Sequence, residues 1–391
     1  MQGPMLFSPL SLRSVRLKNR VVVAPMHQYS AVGGFATDWH LMNAGKFAAG
    51  GAGLVMMEST KVERRGCGTV GDLGLWKDEF VAPLRRIVEF IKAHGAVAGI
   101  QIGHSGRKAK LQRPWEGQKP LLTNPGLDPA DWEAWELVGP SALPSSDDVP
   151  TPRALTTAEV QAVVEAWGAA ARRANDAGFD VLEIHAAHGY LIHQFLSPHA
   201  NRRNDQYGGS EENRMRFAVE VAECVRANWP EHKPLFMRFS VEDDMGWGPP
   251  QSVALARLVK AKGVDVIDCS SGGMAQRSPM EQGRAIHYGY QVPYAEQIRR
   301  EADIKTMAVG LIIHADQAEA ILQKGQADLI ALAREILYNP NWPMDAAQKL
   351  GVDPGFASVP SQYAYWLAKR AKSGFIGKPS TWSAGMAGKS D

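Results

Sequence analysis

Eight short runs rich in Val, Ile and Leu recur along the chain, at 21–26, 53–58, 97–102, 181–186, 235–240, 264–269, 306–309 and 329–333. Continuous apolar character over so few residues suits strands buried on both faces. Longer amphipathic stretches lie between them. The stretch 78–94 opens on Asp78 and stops before Gly95; 157–177 opens with a capping-box-like Thr-Thr-Ala-Glu-Val and stops at Gly178; 210–229 opens Ser-Glu-Glu-Asn and stops before Pro230. Shorter helices are expected at 252–262, 293–302 and 315–324. Strands alternating with helices in this way point to a closed parallel (β/α)8 TIM barrel more than to an open doubly wound sheet, and no GxGxxG follows the first strand.

Two stretches fall outside the repeat. Residues 110–152, after the third strand, are rich in Pro, Gly and Trp. They lie on the face where barrel loops build active sites, so they read as a lid or wall. Residues 371–391 are rich in Gly, Ser and Lys and are expected to form a mobile tail, leaving 1–370 as one barrel domain with a C-terminal extension. With 45% apolar residues, 21% charged residues and a net charge of +2, nothing draws the chain to nucleic acid or an anionic membrane. Cys67, Cys224 and Cys269 are too far apart to suggest a disulfide framework or a cysteine-rich cluster. There is no bilayer-length apolar run and no secretory h-region at the start, so a cytoplasmic location is expected.

In such barrels the reactive groups gather at the carboxyl ends of the strands. Those ends read Pro25-Met26-His27-Gln28-Tyr29, Glu58-Ser59-Thr60, Gln101-Ile102-Gly103-His104 and His185-Ala186-Ala187-His188-Gly189-Tyr190, then Arg238, Ser270-Ser271-Gly272-Gly273, Gly310 and Ala333-Arg334. The last three form a candidate phosphate site, with backbone N–H groups open to an anion and Arg334 adding a charged contact. The alternative is that the glycines only turn the chain and Arg334 pairs with a carboxylate. His185, His188 and Tyr190 are the densest cluster. Two imidazoles there suit an oxyanion clamp, and the phenol a proton donor. A metal site, with Glu183 or Glu58 as a third ligand, is the rival reading. A histidine merely buried against a carbonyl is the other.

The same residues carry a resemblance. Leu6-Phe7-Ser8-Pro9, Leu17-Lys18-Asn19-Arg20, Ala24-Pro25-Met26, and the run from Gln101 to Lys108 begin it. The strongest block is Glu183 to Leu191, followed by Gln194-Phe195-Leu196-Ser197-Pro198, Asn201-Arg202-Arg203, the run Asp205 to Ser210, and Asn213-Arg214. Ala333-Arg334-Glu335 and Gln362-Tyr363 extend it, so that it covers roughly residues 5–370. The chain resembles the Old Yellow Enzyme family of FMN-dependent ene-reductases, in its bacterial branch of xenobiotic reductases and thermophilic-like enzymes.

The resemblance implies FMN as cofactor and NADPH or NADH as reductant. It implies that Pro25, Met26 and Ser59 contact the flavin ring, that Gln101 bonds its pyrimidine edge, and that Arg238 sits by N1 and O2. Ser271, Gly272, Gly310, Ala333 and Arg334 would hold the phosphate. His185 and His188 would bind the oxygen of an electron-poor small-molecule substrate, Tyr190 would protonate it, and Tyr29 would line its pocket. Trp366 lies where this branch sends a side chain into a neighbouring subunit, which implies a homodimer or homotetramer. One departure stands out. His27 occupies the place of the branch's usual Cys beside the flavin, so the flavin potential and the pocket shape are expected to change. Ala333 replaces a common Gly, a milder change. Relatives that oxidise or demethylate amines share the barrel. A metal-dependent hydrolase built on His185 and His188, and a flavin-binding protein with catalysis altered by His27, are the competing classes.

Overall fold

The computed structural model describes residues 3–243, 245–274 and 286–372. Eight strands close into a barrel: β1 (Val21–Val23), β2 (Leu54–Lys61), β3 (Val97–Gly103), β4 (Val181–Ala186), β5 (Leu235–Ser240), β6 (Val266–Ser270), β7 (Lys305–Ala308) and β8 (Leu329–Leu332). They are hydrogen-bonded in the cyclic order β6-β7-β8-β1-β2-β3-β4-β5, every neighbour parallel. Outside run α1 (Asp38–Ala49), α2 (Val81–Ala93), α3 (Thr157–Asp176), α4 (Glu211–Asn228), α5 (Pro249–Ala261), α6 (Val292–Ala302), α7 (Ala315–Gln323) and α8 (Trp342–Lys349). The barrel expectation and its strand order therefore hold. Thr156 caps α3 with Glu159 reaching back, as its sequence predicts.

Some elements were not foreseen. Helix α1 escaped because Gly45 interrupts its stripe; that glycine admits the Phe90 ring of α2, whose Cε1 would stand 2.7 Å from an added Cβ. A hairpin of Leu10–Leu12 with Val15–Leu17 precedes the barrel. Strand β2 runs three residues past the predicted end, to Lys61, through a bulge between Met57 and Thr60. The segment 110–152 contains a short helix, Pro129–Ala134, and Val138–Gly139 pairs with Arg153–Ala154. It is a wall: the buried Trp135 donates to the Cys67 carbonyl (2.8 Å), and Arg113 Nε donates to the Tyr29 carbonyl (2.9 Å). Helix Ser361–Lys372 takes in the first two residues of the expected tail, and 373–391 lie outside the described residues.

Alternate residues of each strand face the barrel axis. At the amino-terminal end these are Val22, Leu54, Met56, Val181, Phe236, Val266, Met307 and Leu329, plugged from below by Leu12 and Leu17 of the hairpin. Higher up the inward row turns polar: Gln101 stands beside Glu183, and Arg238 between His185 and Asp268. The outward faces pack on the helices in a second, larger core. Leu17 is fully buried. Leu17→Ala should therefore cost about 2–5 kcal/mol in denaturant unfolding; an unchanged midpoint would mean the hairpin is not part of the core.

Helix α1 is tied to β2 by a buried carboxylate. The Thr37 N–H donates to His40 Nδ1 (2.9 Å). Neutral His40 thus carries its proton on Nε2, which faces Glu58 Oε1 at 3.3 Å. Glu58 Oε2 accepts from the Gln28 N–H (2.9 Å) and lies 3.5 Å from His27 Nδ1. Burial pushes the Glu58 carboxyl up, but His27 and His40 beside it outweigh burial and hold it at about 2, against an ordinary 4.5. A depressed folded value gives stability that is complete above the unfolded value and lost as pH falls through the folded one. Acid titration of unfolding should therefore fall more steeply between pH 4.5 and about 2 in the natural chain than in Glu58→Gln.

Candidate active site at the barrel mouth

The loop after β4 places the two histidines. The Ala187 N–H donates to His185 Nδ1 (3.2 Å), so a neutral His185 bears its proton on Nε2. That atom lies 3.5 Å from His188 Nδ1, while His188 Nε2 meets Ser270 Oγ at 2.8 Å. The two rings thus bring His185 Nε2, with its proton, and His188 Nδ1 to one point. Burial, then the charge of neighbours, drives both far below the ordinary histidine value: His188, Arg238 and Lys61 act on His185, and Arg238, His193 and Lys108 on His188. The pair is neutral.

That loop is strained and braced. His188 has φ 58°, a left-handed value uncommon for a side-chain-bearing residue. An added Cβ on Gly189 would lie 2.2 Å from the Gly273 carbonyl oxygen, so the loops after β4 and β6 touch backbone to backbone. Lys108 Nζ ties them together by donating to the His188 and Gly273 carbonyls. Gln194 Nε2 donates to the Gly189 (2.7 Å) and Ser105 (3.0 Å) carbonyls, and the Leu191 N–H to the His104 carbonyl (2.9 Å). Much of the motif block after Glu183 is thus bracing. The Tyr190 ring stands 4.8 Å from the His185 ring and 6.2 Å from the His27 ring. Burial, with Tyr29 and Asp72, pushes its phenol above the ordinary range.

The other predicted residues fall around this cluster. His27 stacks on Tyr29 at 5.3 Å, and Trp115 meets Tyr29 edge-on at 5.7 Å. Pro25 and Met26 leave β1 at the same level, half-buried. Gln101 Nε2 donates to Glu183 Oε1 (2.7 Å), and Arg238 Nε lies 3.1 Å from Asp268 Oδ2. Two acids here flank one cation. Burial and the neighbouring Asp268 push the Glu183 carboxyl well up, and burial raises Asp268 too, against the pull of Arg238. Neither carboxylate offered as a third metal ligand joins the histidine pair: Glu58 serves His27 and His40, and Glu183 serves Gln101. Among the described residues no group of three or more His, Cys, Asp or Glu is arranged to hold a metal ion.

At the phosphate end, Gln291 Nε2 donates to Ser271 Oγ (2.7 Å), and an added Cβ on Gly310 would lie 2.6 Å from Gln291 Oε1. The ends of β6 and β7 are joined through that side chain. Gly272 adopts φ 73°, and its N–H donates to the Glu242 carbonyl (2.7 Å), so its part is close approach and not a free donor. Ala333 caps the short helix Arg334–Tyr338, and Arg334 is exposed beside Tyr290. Trp366, 65% exposed on the C-terminal helix, has Tyr365 and Lys369 as aromatic-face neighbours and does not join the cluster.

One side chain at the centre was missed. Lys61 is fully buried, with Nζ 3.4 Å from Asp72 Oδ2, 3.4 Å from Ser59 Oγ and 5.1 Å from the Tyr190 ring centroid. A Glu-Ser-Thr-Lys run closing an apolar barrel strand was the signal for it.

The mouth suits FMN on its own evidence. Both ring nitrogens of His27, Arg238 Nε and Glu183 Oε2 are buried polar atoms without a hydrogen-bond partner. A planar ring with acceptors and donors along one edge would satisfy them. The comparisons agree. Residues 5–352 match the NADH:flavin oxidoreductase / NADH oxidase family. The chain is 44% identical over 351 residues to the NADPH dehydrogenase of Geobacillus sp. (strain WCH70), spanning 89% of this chain and 95% of that one. It is 43% identical over 362 residues to the NADPH dehydrogenase of Geobacillus thermodenitrificans (strain NG80-2), spanning 92% and 97%. The solved structure of morphinone reductase in complex with tetrahydroNAD shares 29% identity and a TM-score of 0.71, over 90% of this chain and 92% of that one. The chain belongs to the NADH:flavin oxidoreductase / NADH oxidase family, as an FMN-dependent, NAD(P)H-driven oxidoreductase of the Old Yellow Enzyme type.

Proposed function

We propose that this oxidoreductase reduces activated C=C bonds, those of α,β-unsaturated carbonyl or nitro compounds. The observation that carries the reading is the convergence of two neutral imidazoles, with His185 Nε2 and His188 Nδ1 3.5 Å apart beside a phenol; in this reading both nitrogens donate to the substrate. FMN, reduced by NADPH or NADH, supplies the hydride when bound. Pro25, Met26, His27, Ser59, Gln101 and Arg238 would meet its ring, and Ser271, Gly272, Gly310, Ala333 and Arg334 its phosphate.

The protein's own part is to hold charge and move a proton. His185 and His188 bind the substrate oxygen and stabilise the negative charge that grows there as the β-carbon is reduced. Because both rings are neutral, they bind the uncharged ground state only modestly. Tyr190 gives its O–H proton to the α-carbon. Tyr29 closes the pocket against Trp115. His27 faces the same space and, in this reading, bonds the flavin edge and sets its potential. Trp366, exposed on this chain, completes a neighbouring subunit's pocket in a homodimer or homotetramer.

Purified protein should absorb as a flavoprotein, bleach with NADPH and regain colour with cyclohexenone; a colourless protein that takes up no FMN would overturn the reading. In stopped flow, Tyr190→Phe should slow recolouring by roughly 10²–10⁴-fold and leave bleaching nearly unchanged. Loss of either histidine to Ala should cost about 10²–10³-fold. His27→Cys should shift the flavin midpoint potential in a spectroelectrochemical titration, and an unmoved potential would deny it the tuning role.

A further inference from the structure

Lys61 has no place in the reaction as described so far, yet its ammonium lies within the reactive cluster. Its side chain is fully buried. A buried ammonium costs several kcal/mol unless it is paired. Its one carboxylate partner, Asp72 at 3.4 Å, is itself held by the Gly68 N–H and the Thr69 hydroxyl, both at 2.7 Å. Asp72 is therefore a fixed anion with its own donors. On its other side Lys61 meets the face of Tyr190, Nζ 5.1 Å from the ring centroid. The cation thus contacts both a fixed carboxylate and the face of the phenol ring.

We propose that Lys61 is a positioning residue for proton transfer: its ammonium stabilises the Tyr190 phenolate left when the proton departs, with Asp72 as its anchor. The proposal rests on the reading of Tyr190 as proton donor. In that step the Tyr190 O–H bond breaks and a C–H bond forms at the substrate α-carbon. The electron pair of the broken bond stays on the phenol oxygen until water returns a proton. Unscreened, Asp72 opposes that charge, as does Tyr29. The other titratable groups facing the phenol are His27 and His185, the latter held neutral partly by Lys61 itself. Lys61 is the cation in contact with the phenol ring, and an opposite charge within this range lowers the cost of ionising an acid.

The test places 3,5-difluorotyrosine at position 190, so that ionisation falls in a measurable range, and follows it by 19F NMR in the FMN-loaded protein. Lys61→Met should raise the fluorophenol pKa by about one unit or more. Asp72→Asn should lower it. Both substitutions break the same ion pair, so a purely structural role would not move the phenol in opposite directions. In the unfluorinated protein, Lys61→Met should slow cyclohexenone-driven recolouring about tenfold or more, leave NADPH-driven bleaching within about twofold, and add nothing in a Tyr190→Phe background. A folded, yellow Lys61→Met protein with an unmoved fluorophenol pKa overturns the inference while leaving the ene-reduction reading intact. If Lys61→Met does not fold, Lys61→Gln, which keeps a polar end on the chain, is read in the same way: a raised fluorophenol pKa supports the inference and an unmoved one overturns it. If instead Tyr190→Phe recolours at the natural rate, the ene-reduction reading fails first.

Discussion

A closed barrel has an inside from which water is excluded, and every polar side chain there must find its partner within the barrel. At mid-height the Arg238–Asp268 pair, with Glu183 beside it, balances charge but leaves Arg238 Nε and both Asp268 oxygens without a hydrogen bond. Below this level the axis is filled by Val22, Met56, Val181, Phe236, Val266 and Met307. Above it the inward positions are His185, Ser240 and Ser270. The ion pair thus marks where packing ends and chemistry begins. Beside it, Glu183 accepts from Gln101, so the polar row continues around the barrel to β3.

The barrel was legible because a parallel strand buried on both faces has a plain signature, and because the carboxyl ends of eight such strands converge by topology alone. His185, His188, Gln101 and Arg238 could be placed together from their offsets within strands. Lys61 could not. Its strand carries a bulge between Met57 and Thr60, which breaks the two-residue alternation that would have told inside from outside. His40 was hidden for another reason: it comes from α1, whose apolar stripe is interrupted by a packing glycine. Glu58 was noticed as a possible metal ligand. Of its true neighbours, His27 and the Gln28 amide follow β1, but His40 comes from that unforeseen helix.

The resemblance and the geometry divide the motif residues differently. Read as a family block, Glu183 to Arg214 looks uniformly functional. In three dimensions Gln194 donates to the Gly189 carbonyl, while Asn201 and Arg214 donate to the Phe195 and Leu196 carbonyls of the short helix Leu191–Leu196. The Gln194 bond braces the loop in which His188 sits at a positive φ. Gly272 behaves similarly, its N–H already donated to Glu242, so its contribution is the absence of a side chain.

The charges around the mouth bear on why the proposed clamp is built from histidine. Arg238, Lys61 and Lys108 are all close enough to disfavour an imidazolium at His185 or His188. A clamp of lysines there would add like charges to a buried site and bind anions before any reaction began. Neutral imidazoles avoid both costs. Each offers a dipole to the oxygen, weakly engaged while the substrate is neutral and strongly engaged once charge develops. In the proposed reduction the surrounding cations would act further on the charged state: Arg238 beside His185 at the barrel axis, and Lys61 against the ring of Tyr190. Their value to that reaction would be greatest in the state that forms only as the substrate is reduced, which is where a catalyst must concentrate its binding.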